Sequence, residues 1–171
     1  MSNIITREAT AHDLPQLLEI YNHVIANTTA VYSYDPHTLE MRKTWFEDRK
    51  KNNFPVFVTE EDGVINGFAS YGSFRAWPAY RYTIENSVYV HHEHRGKGIA
   101  KILLALLIND AKAKKYHAMI AGIDSTNEVS IKLHQQFGFV EVAHFKEVGY
   151  KFDKWLDLKF LELILTENPK I

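Results

Sequence analysis

The sequence predicts a mixed α/β sheet flanked by helices, in a single domain over residues 1–171. Segments with strand composition and segments with helical periodicity are distributed along the whole chain. No repeat or low-complexity linker interrupts them, and 171 residues suffice for one domain with a hydrophobic core. The apolar fraction is 46% and includes ten Phe, nine Tyr and three Trp, which is typical of a globular chain.

The N-terminal part of the chain predicts one strand and two helices. Asp13, with Gln16 three residues later, resembles a helix N-cap with a capping-box partner. Thr38 is a candidate N-cap for the second helix, which is expected to end in a polar segment. The predicted elements are a strand at residues 4–6, a helix over 14–26 and a helix from 39 towards 49–53.

The rest of the chain alternates further strands with two helices. Glu61-Asp62-Gly63 is a hairpin turn signal, so the strands on either side of it should pair antiparallel. One helix should begin at Ile99 directly after a glycine-bearing loop, and Gly138 can close the other helix as a left-handed cap. The predicted strands cover residues 54–60, 64–71, 83–90, 118–123, 139–150 and 155–165.

The composition excludes several functional classes. With 20 Lys plus Arg against 21 Asp plus Glu, no basic excess favours nucleic acid as a partner. The absence of Cys excludes disulfides, zinc sites built on thiolates, and an acyl group carried on a Cys thiol. No apolar stretch reaches the roughly 20 residues of a membrane span. We therefore expect a soluble, cytoplasmic protein without a membrane partner.

The segment Arg95-Gly96-Lys97-Gly98-Ile99-Ala100 lies between a predicted strand and a predicted helix. Glycines let a ligand approach the backbone, and a helix start presents unpaired N–H groups, so such a loop suits a phosphate. The dinucleotide fingerprint would need Gly or Ala where Lys101 stands, and the P-loop pattern is also missing. From spacing alone, a basic surface loop stays open as an alternative.

Several motifs together carry a family resemblance. Arg95, Gly98 and Ala100 fit Arg-x-x-Gly-x-Ala after a strand, which resembles the pyrophosphate loop of the GCN5-related N-acetyltransferase superfamily. Asn127 and Ser130, before a short helix ending in Gly-Phe, resemble its second signature. Over residues 4–165 the sequence is most similar to phosphinothricin and methionine sulfoximine acetyltransferases, through segments 74–77, 80–90 and 149–158.

The resemblance implies the acetyl-CoA N-acyltransferase fold, a mostly antiparallel twisted sheet with a parallel splayed pair and helices on both faces. It also implies acetyl-CoA as co-substrate and a homodimer. The strand edge before the loop would contact the pantetheine arm and the loop would hold the pyrophosphate. The implied cofactor-binding residues are Val88, Tyr89, Val90, Arg95, Gly96, Lys97, Gly98, Ile99, Ala100, Lys101, Asn127 and Ser130.

Two residues are candidates for proton transfer. The resemblance places Glu85 beside the acetyl group as a general base, although a surface ion pair with Arg81 is the alternative. His134 stands where many members of the superfamily have Tyr, and it can act as acid or base. The implied substrate-binding residues are Arg75, Ala76, Trp77, Glu85, Asn86 and Ser87, with Tyr32 and Tyr34 as weaker candidates.

The predicted function is direct transfer of an acetyl group from acetyl-CoA to a small amino-acid-like amine in a ternary complex. The resemblance implies phosphinothricin, methionine sulfoximine or methionine sulfone as acceptors. The alternatives are acetylation of protein N-termini or polyamines, and a non-catalytic acyl-CoA sensor. His91, His92 and His94 lie in a strand-to-helix connection without a carboxylate triad, so no metal is expected.

Overall fold

The computed structural model describes residues 4–166 and contains a seven-stranded sheet of order β1-β2-β3-β4-β5-β7-β6. Neighbouring strands pair antiparallel except β4 and β5, which are parallel, so the predicted mixed sheet is confirmed. In residues 4–166, no helix has the length and apolar character needed to cross a membrane. The elements are β1 (Ile5–Glu8), α1 (Leu14–Asn27), α2 (Leu39–Lys51), β2 (Val56–Glu61), β3 (Val64–Ser73), β4 (Thr83–Val90), α3 (Ile99–Ala113), β5 (Ala118–Asp124), α4 (Glu128–Gln136), β6 (Val140–Lys151) and β7 (Lys154–Ile164).

Helices cover both faces of the sheet and bury two apolar clusters. Alternation along β3 sends Phe68 towards α1 and α2 and sends Ala69 and Tyr71 into the cluster under α3. Gly67 lets α3 approach closely, because a Cβ there would lie 2.7 Å from Cγ2 of Ile99. The first turn of α3 is therefore seated directly on β3, which fixes the position of the loop before it.

Most of the local sequence signals predicted the structure correctly. Asp62 and Gly63 both have positive φ, 53° and 80°, as the predicted tight hairpin requires. Asp13 is the N-cap residue of α1 as predicted, but its carboxylate makes no capping bond to the helix, because it accepts from Thr10 N at 2.7 Å and pairs with Arg7 at 2.8 Å. The adjacent guanidinium lowers the pKa of Asp13 to about 2. Gln16 instead accepts from the backbone N of Ile65 at 2.8 Å, which ties α1 to β3.

A buried lysine fixes the loop between α1 and α2. The side chain of Lys151, at the end of β6, is 3% exposed. Its Nζ donates to the carbonyl oxygens of Ile25 at 2.6 Å, Thr28 at 2.8 Å and Val31 at 2.8 Å. These bonds compensate the ammonium for its lost hydration. They also hold the loop against the β6–β7 hairpin.

Candidate active site

A gap opens in the middle of the sheet between its two parallel strands. β4 pairs with β5 only from Thr83 to Glu85, although β4 stays paired with β3 as far as Val90. β5 meanwhile stays paired with β7 as far as Asp124. The two strands therefore diverge after Glu85. Alternate backbone groups over residues 86–90 are left without a strand partner on the β5 side, which is where Val88, Tyr89 and Val90 were expected to offer a free edge.

The glycine loop stands at the end of β4, where the gap is widest. Gly96 and Gly98 have φ of 78° and 79°, a region that side chains disfavour, and no atom lies within 4 Å of a Cβ built on either. Gly98 is the N-cap of α3 and has no side chain to satisfy the first N–H groups of the helix. Exposed basic residues surround these groups, which makes the loop a good anion site. The residues are Arg95, Lys97 and Lys101, while Ile99 is buried and Ala100 is half-buried.

The second signature builds the start of α4. Oδ1 of Asn127 accepts from the backbone N of Ser130 at 3.2 Å and so caps the helix. The carbonyl oxygen of Ser130 contacts Nδ1 of His134 at 2.8 Å. Asn127 and Ser130 thus have a structural role here, and their predicted contact with the coenzyme stays a prediction.

Glu85 lies in a hollow on the face of the sheet towards α1 and α2. Its register partners are Gly72 on β3 and Ile120 on β5, and its carboxylate extends towards Gly122, two residues further along β5. A Cβ at Gly122 would lie 3.0 Å from Oε1 of Glu85 and 3.2 Å from the Phe160 ring. Gly122 is exposed although its strand is central. The space over Gly122 thus holds the carboxylate of Glu85, and the space over Gly72 holds the guanidinium of Arg49.

Burial sets the protonation behaviour of Glu85. Desolvation raises the pKa of its carboxyl group, and the positive charge of Arg75 opposes this increase. No ion pair to Glu85 forms among residues 4–166, and the guanidinium of Arg81, the alternative partner, lies 4.8 Å over the Tyr82 ring instead. A carboxylate with a raised pKa, next to an open hollow, is suited to accept a proton.

His134 lies on the opposite face of β4 and is 3% exposed. Its Nε2 is 3.2 Å from Oδ1 of Asn86, whose Nδ2 donates to the carbonyl oxygen of Ile120 at 3.2 Å. Because Ser130 O lies at Nδ1, both ring nitrogens face oxygen acceptors. A protonated imidazole ring can donate a hydrogen bond to each of them. Burial acts the other way and lowers the pKa of His134. Glu85 and His134 therefore flank the gap from the two faces of the sheet.

The predicted substrate segment is brought to the hollow only in part. Arg75 lies 4.3 Å over the Phe74 ring and donates to Phe74 O at 3.1 Å, with its charge close enough to affect Glu85. Trp77 is 74% exposed and Ala76 is also exposed. The aromatic wall consists of Phe74 and Phe160, whose ring centroids are 6.2 Å apart. Ser87 shares the face of Glu85, with its Oγ 3.5 Å from Ser70 O.

Tyr32 connects the α1–α2 loop to this region. Its hydroxyl donates to Oδ2 of Asp124 at 3.0 Å, and a Cβ at Gly149 would lie 2.6 Å from its ring. Tyr34 donates to the carbonyl oxygen of Tyr150. From the sequence, both tyrosines are only weak candidates, and Gly72, Gly122 and Phe160 are not predicted at all. A glycine inside an apolar strand was the available signal for Gly122, since it often marks a close approach by a ligand.

A histidine cluster lies beside the glycine loop. Potential ligand atoms of His91, His92 and Glu93 are within 4.8 Å of one another, and the His23 ring stacks on His92 at 3.9 Å. Nδ1 of His91 already accepts from the backbone N of Glu93 at 3.3 Å. Ligands of tetrahedral zinc are about 3.4 Å apart, from the usual bond lengths, so the cluster is looser than a formed site. The absence of a metal requirement stays a prediction.

Comparison with known proteins assigns the family. The model of the acetyltransferase (GNAT) domain family matches residues 6–159. The chain belongs to this family. It is 44% identical to the L-amino acid N-acyltransferase MnaT of Escherichia coli strain K12, over 96% of this chain and 95% of the relative. It is 43% identical to the L-methionine sulfoximine/L-methionine sulfone acetyltransferase of Salmonella typhimurium, over 95% of each chain.

A solved structure supports the same assignment. The acetyltransferase yncA of Salmonella typhimurium, determined with its cofactor acetyl-CoA, superposes with a TM-score of 0.95 at 42% identity. The match covers 97% of this chain and 96% of that chain. The predicted N-acyltransferase fold is therefore confirmed.

Proposed function

We propose that this protein transfers the acetyl group of acetyl-CoA to the primary amine of a small amino-acid-like acceptor. The observation that carries the proposal is the position of Glu85: a half-buried carboxylate, without an ion-pair partner in residues 4–166, where β4 and β5 part. The glycine loop at the end of the same strand supplies N–H groups for the pyrophosphate of the donor. Base and donor site are thus coupled through one strand.

The reaction is direct transfer in a ternary complex. Glu85 removes a proton from the acceptor ammonium, and the free amine attacks the thioester carbonyl carbon. The backbone N–H near Val88 polarises the carbonyl oxygen. The carbon–sulfur bond then breaks, the nitrogen loses its second proton, and the coenzyme A thiolate takes up one proton. Since Cys is absent from the chain, no thiol is available for an acyl-enzyme.

The two proton transfers take place on opposite faces of β4. Glu85 faces the hollow where the amine would bind, whereas His134 lies on the face of α3 and α4, on the coenzyme side of the gap. This arrangement supports His134 as the source of the proton for the thiolate and not as a second base for the amine. Asn86 contacts Nε2 of His134 at 3.2 Å and so orients the imidazole ring.

The acceptor class is inferred from charge and from the relatives. Arg75 near Glu85 favours an acceptor with an anionic group and disfavours a polyamine, which would need carboxylates around it. The named relatives act on L-amino acids, methionine sulfoximine and methionine sulfone. Phosphinothricin, which the sequence resemblance adds, belongs to the same chemical class. A cytoplasmic location, where acetyl-CoA is made, fits this proposal.

A thiol-release assay tests the proposal directly. Acetyl-CoA is combined with methionine sulfone, methionine sulfoximine, phosphinothricin, spermidine and an N-terminal peptide, and free coenzyme A is measured. We expect release with the amino-acid-like acceptors and intersecting initial-rate lines. Parallel lines would contradict the ternary mechanism. Acetyl-CoA binding by calorimetry without thiol release from any acceptor would indicate a sensor.

The predicted homodimer remains part of the proposal. β6 is the last strand of the sheet in the described residues, and several large apolar side chains of the β6–β7 hairpin are exposed. They include Val140, Val142, Phe145, Val148 and Trp155. Light scattering after size exclusion should give about twice the chain mass, and a monomer at micromolar concentration would contradict the dimer.

A further inference from the structure

The guanidinium of Arg49 lies flat on the β3 side of the hollow. A Cβ at Gly72 would be 3.0 Å from Cζ, Nη1 and Nη2 of Arg49. Only a glycine at position 72 therefore lets the guanidinium lie in this place. Gly72 is the register partner of Glu85. Arg49 therefore lies one strand away from the base, on the same face of the sheet.

The charge of Arg49 is not balanced by a buried acid. Its Nε is buried without a hydrogen-bond partner, and its one ion pair in residues 4–166 is to Asp48 at 3.3 Å, whose side chain is 55% exposed. Behind it lies Arg42, which is 2% exposed and also has an unpartnered Nε. Trp45 lies between them, 5.5 Å from Arg49 and 4.6 Å from Arg42. Arg42 is buried and Arg49 is half-buried, and neither has a buried carboxylate as an ion-pair partner in residues 4–166, so an anionic ligand would offset the cost of desolvating these cations.

We propose that Arg49 binds the carboxylate of the acceptor amino acid, an inference that rests on the proposed function. Glu85 extends towards Gly122 on β5 while Arg49 covers Gly72 on β3, so the carboxylate and the guanidinium lie towards opposite sides of β4 on one face of the sheet. An amino acid bound between them donates from its ammonium to Glu85 and accepts from Arg49 at its carboxylate. Arg49 thereby selects amino acids over simple amines.

The test pairs variants with a matched pair of acceptors, methionine sulfone and its decarboxylated analogue. R49Q should lower kcat/KM for methionine sulfone roughly 50-fold and change the value for the decarboxylated amine less than about threefold. R49K keeps the positive charge but lacks the planar guanidinium, so its kcat/KM for methionine sulfone should lie between the values of the wild type and R49Q. K50Q, at the next and exposed position of α2, is the control and should behave as wild type. Equal losses with both acceptors, or no loss with methionine sulfone, would overturn the proposal.

A second variant and a binding measurement separate recognition from folding and from turnover. G72A keeps Arg49 but places a methyl group against its guanidinium, so it should cause the same selective loss at an unchanged Tm. Titration of methionine sulfone into the protein saturated with coenzyme A should show weaker binding for R49Q. The titration measures binding and does not depend on turnover. If methionine sulfone bound but no acceptor were acetylated, the proposed function would be wrong while the role of Arg49 in binding would stand. Wild-type binding in R49Q, or no binding to wild type, would refute the role of Arg49.

Discussion

The coenzyme side and the acceptor side that we propose for the site lie on either side of β4, and they are built from different parts of the chain. The coenzyme side consists mainly of backbone: the free edge of residues 86–90 and the start of α3. The acceptor side consists of side chains from α2, β4, β7 and two loops, arranged over glycines of β3 and β5.

This difference has a physical origin. A backbone site needs permissive residues at fixed spacing in one short segment, because positive φ and a helix start are local features. A side-chain site needs residues that the topology brings together, and their separation along the chain is unrestricted. Substitutions on the two sides should therefore affect different kinetic constants, which makes the comparison testable.

The largest expected effect is the loss of the base. Glu85→Gln should lower kcat about 10³-fold, because a glutamine side chain cannot take up the proton of the ammonium, while the Kd for acetyl-CoA stays within twofold. In the wild type, Glu85 must be ionised to act, and burial raises its pKa above the ordinary value. Activity should therefore fall as the pH drops through that raised pKa. The measurement is the rate of both proteins across a range of pH. If the variant showed the same fall in activity at low pH as the wild type, Glu85 would be excluded as the base.

The same difference explains which parts of the site could be predicted from the sequence. Gly98 and the strand before it form a continuous motif, so the loop could be recognised in the sequence, and the family followed from the resemblance of this loop and of the second signature at Asn127 and Ser130. Arg49 is 36 residues from Glu85 along the chain and sits in a segment that reads as a solvated helix end. Nothing local distinguishes it from Lys50. Only the register that places Gly72 beside Glu85 shows that Arg49 reaches the hollow.

Filling the hollow should affect the acceptor selectively. Gly122→Ala places a methyl group 3.0 Å from Oε1 of Glu85 and 3.2 Å from the Phe160 ring. Overpacking of about 2 kcal/mol corresponds to a loss of roughly 30-fold in kcat/KM for the acceptor. The KM for acetyl-CoA should not change. Steady-state kinetics with each substrate varied in turn measures both constants, and a parallel rise of the two KM values would mean that the sides are not separate.

A substitution in the glycine loop should weaken only the binding of the donor, acetyl-CoA. Gly98 has φ of 79°, so Gly98→Ala strains the loop by about 1–2 kcal/mol and should raise the KM for acetyl-CoA roughly tenfold. Gly63→Ala is a matched control, since Gly63 has φ of 80° and equally open surroundings in a remote hairpin. Both variants should lose similar stability. If Gly63→Ala also raised the KM for acetyl-CoA, the effect would arise from general destabilisation.

The smallest expected effect concerns the α1–α2 loop, which Tyr32 connects to β5. Tyr32→Phe keeps the ring on Gly149 but removes the hydroxyl that donates to Asp124 and, at 3.2 Å, to the carbonyl oxygen of Asp157. Loss of about 1 kcal/mol should raise the acceptor KM roughly fivefold and leave the KM for acetyl-CoA unchanged. Tyr34→Phe removes a hydroxyl from the same loop, but its side chain is 66% exposed, so a smaller change is expected. An equal effect of the two variants would show that the loop acts as one packed unit, and that the contact between Tyr32 and Asp124 has no separate part in holding the acceptor.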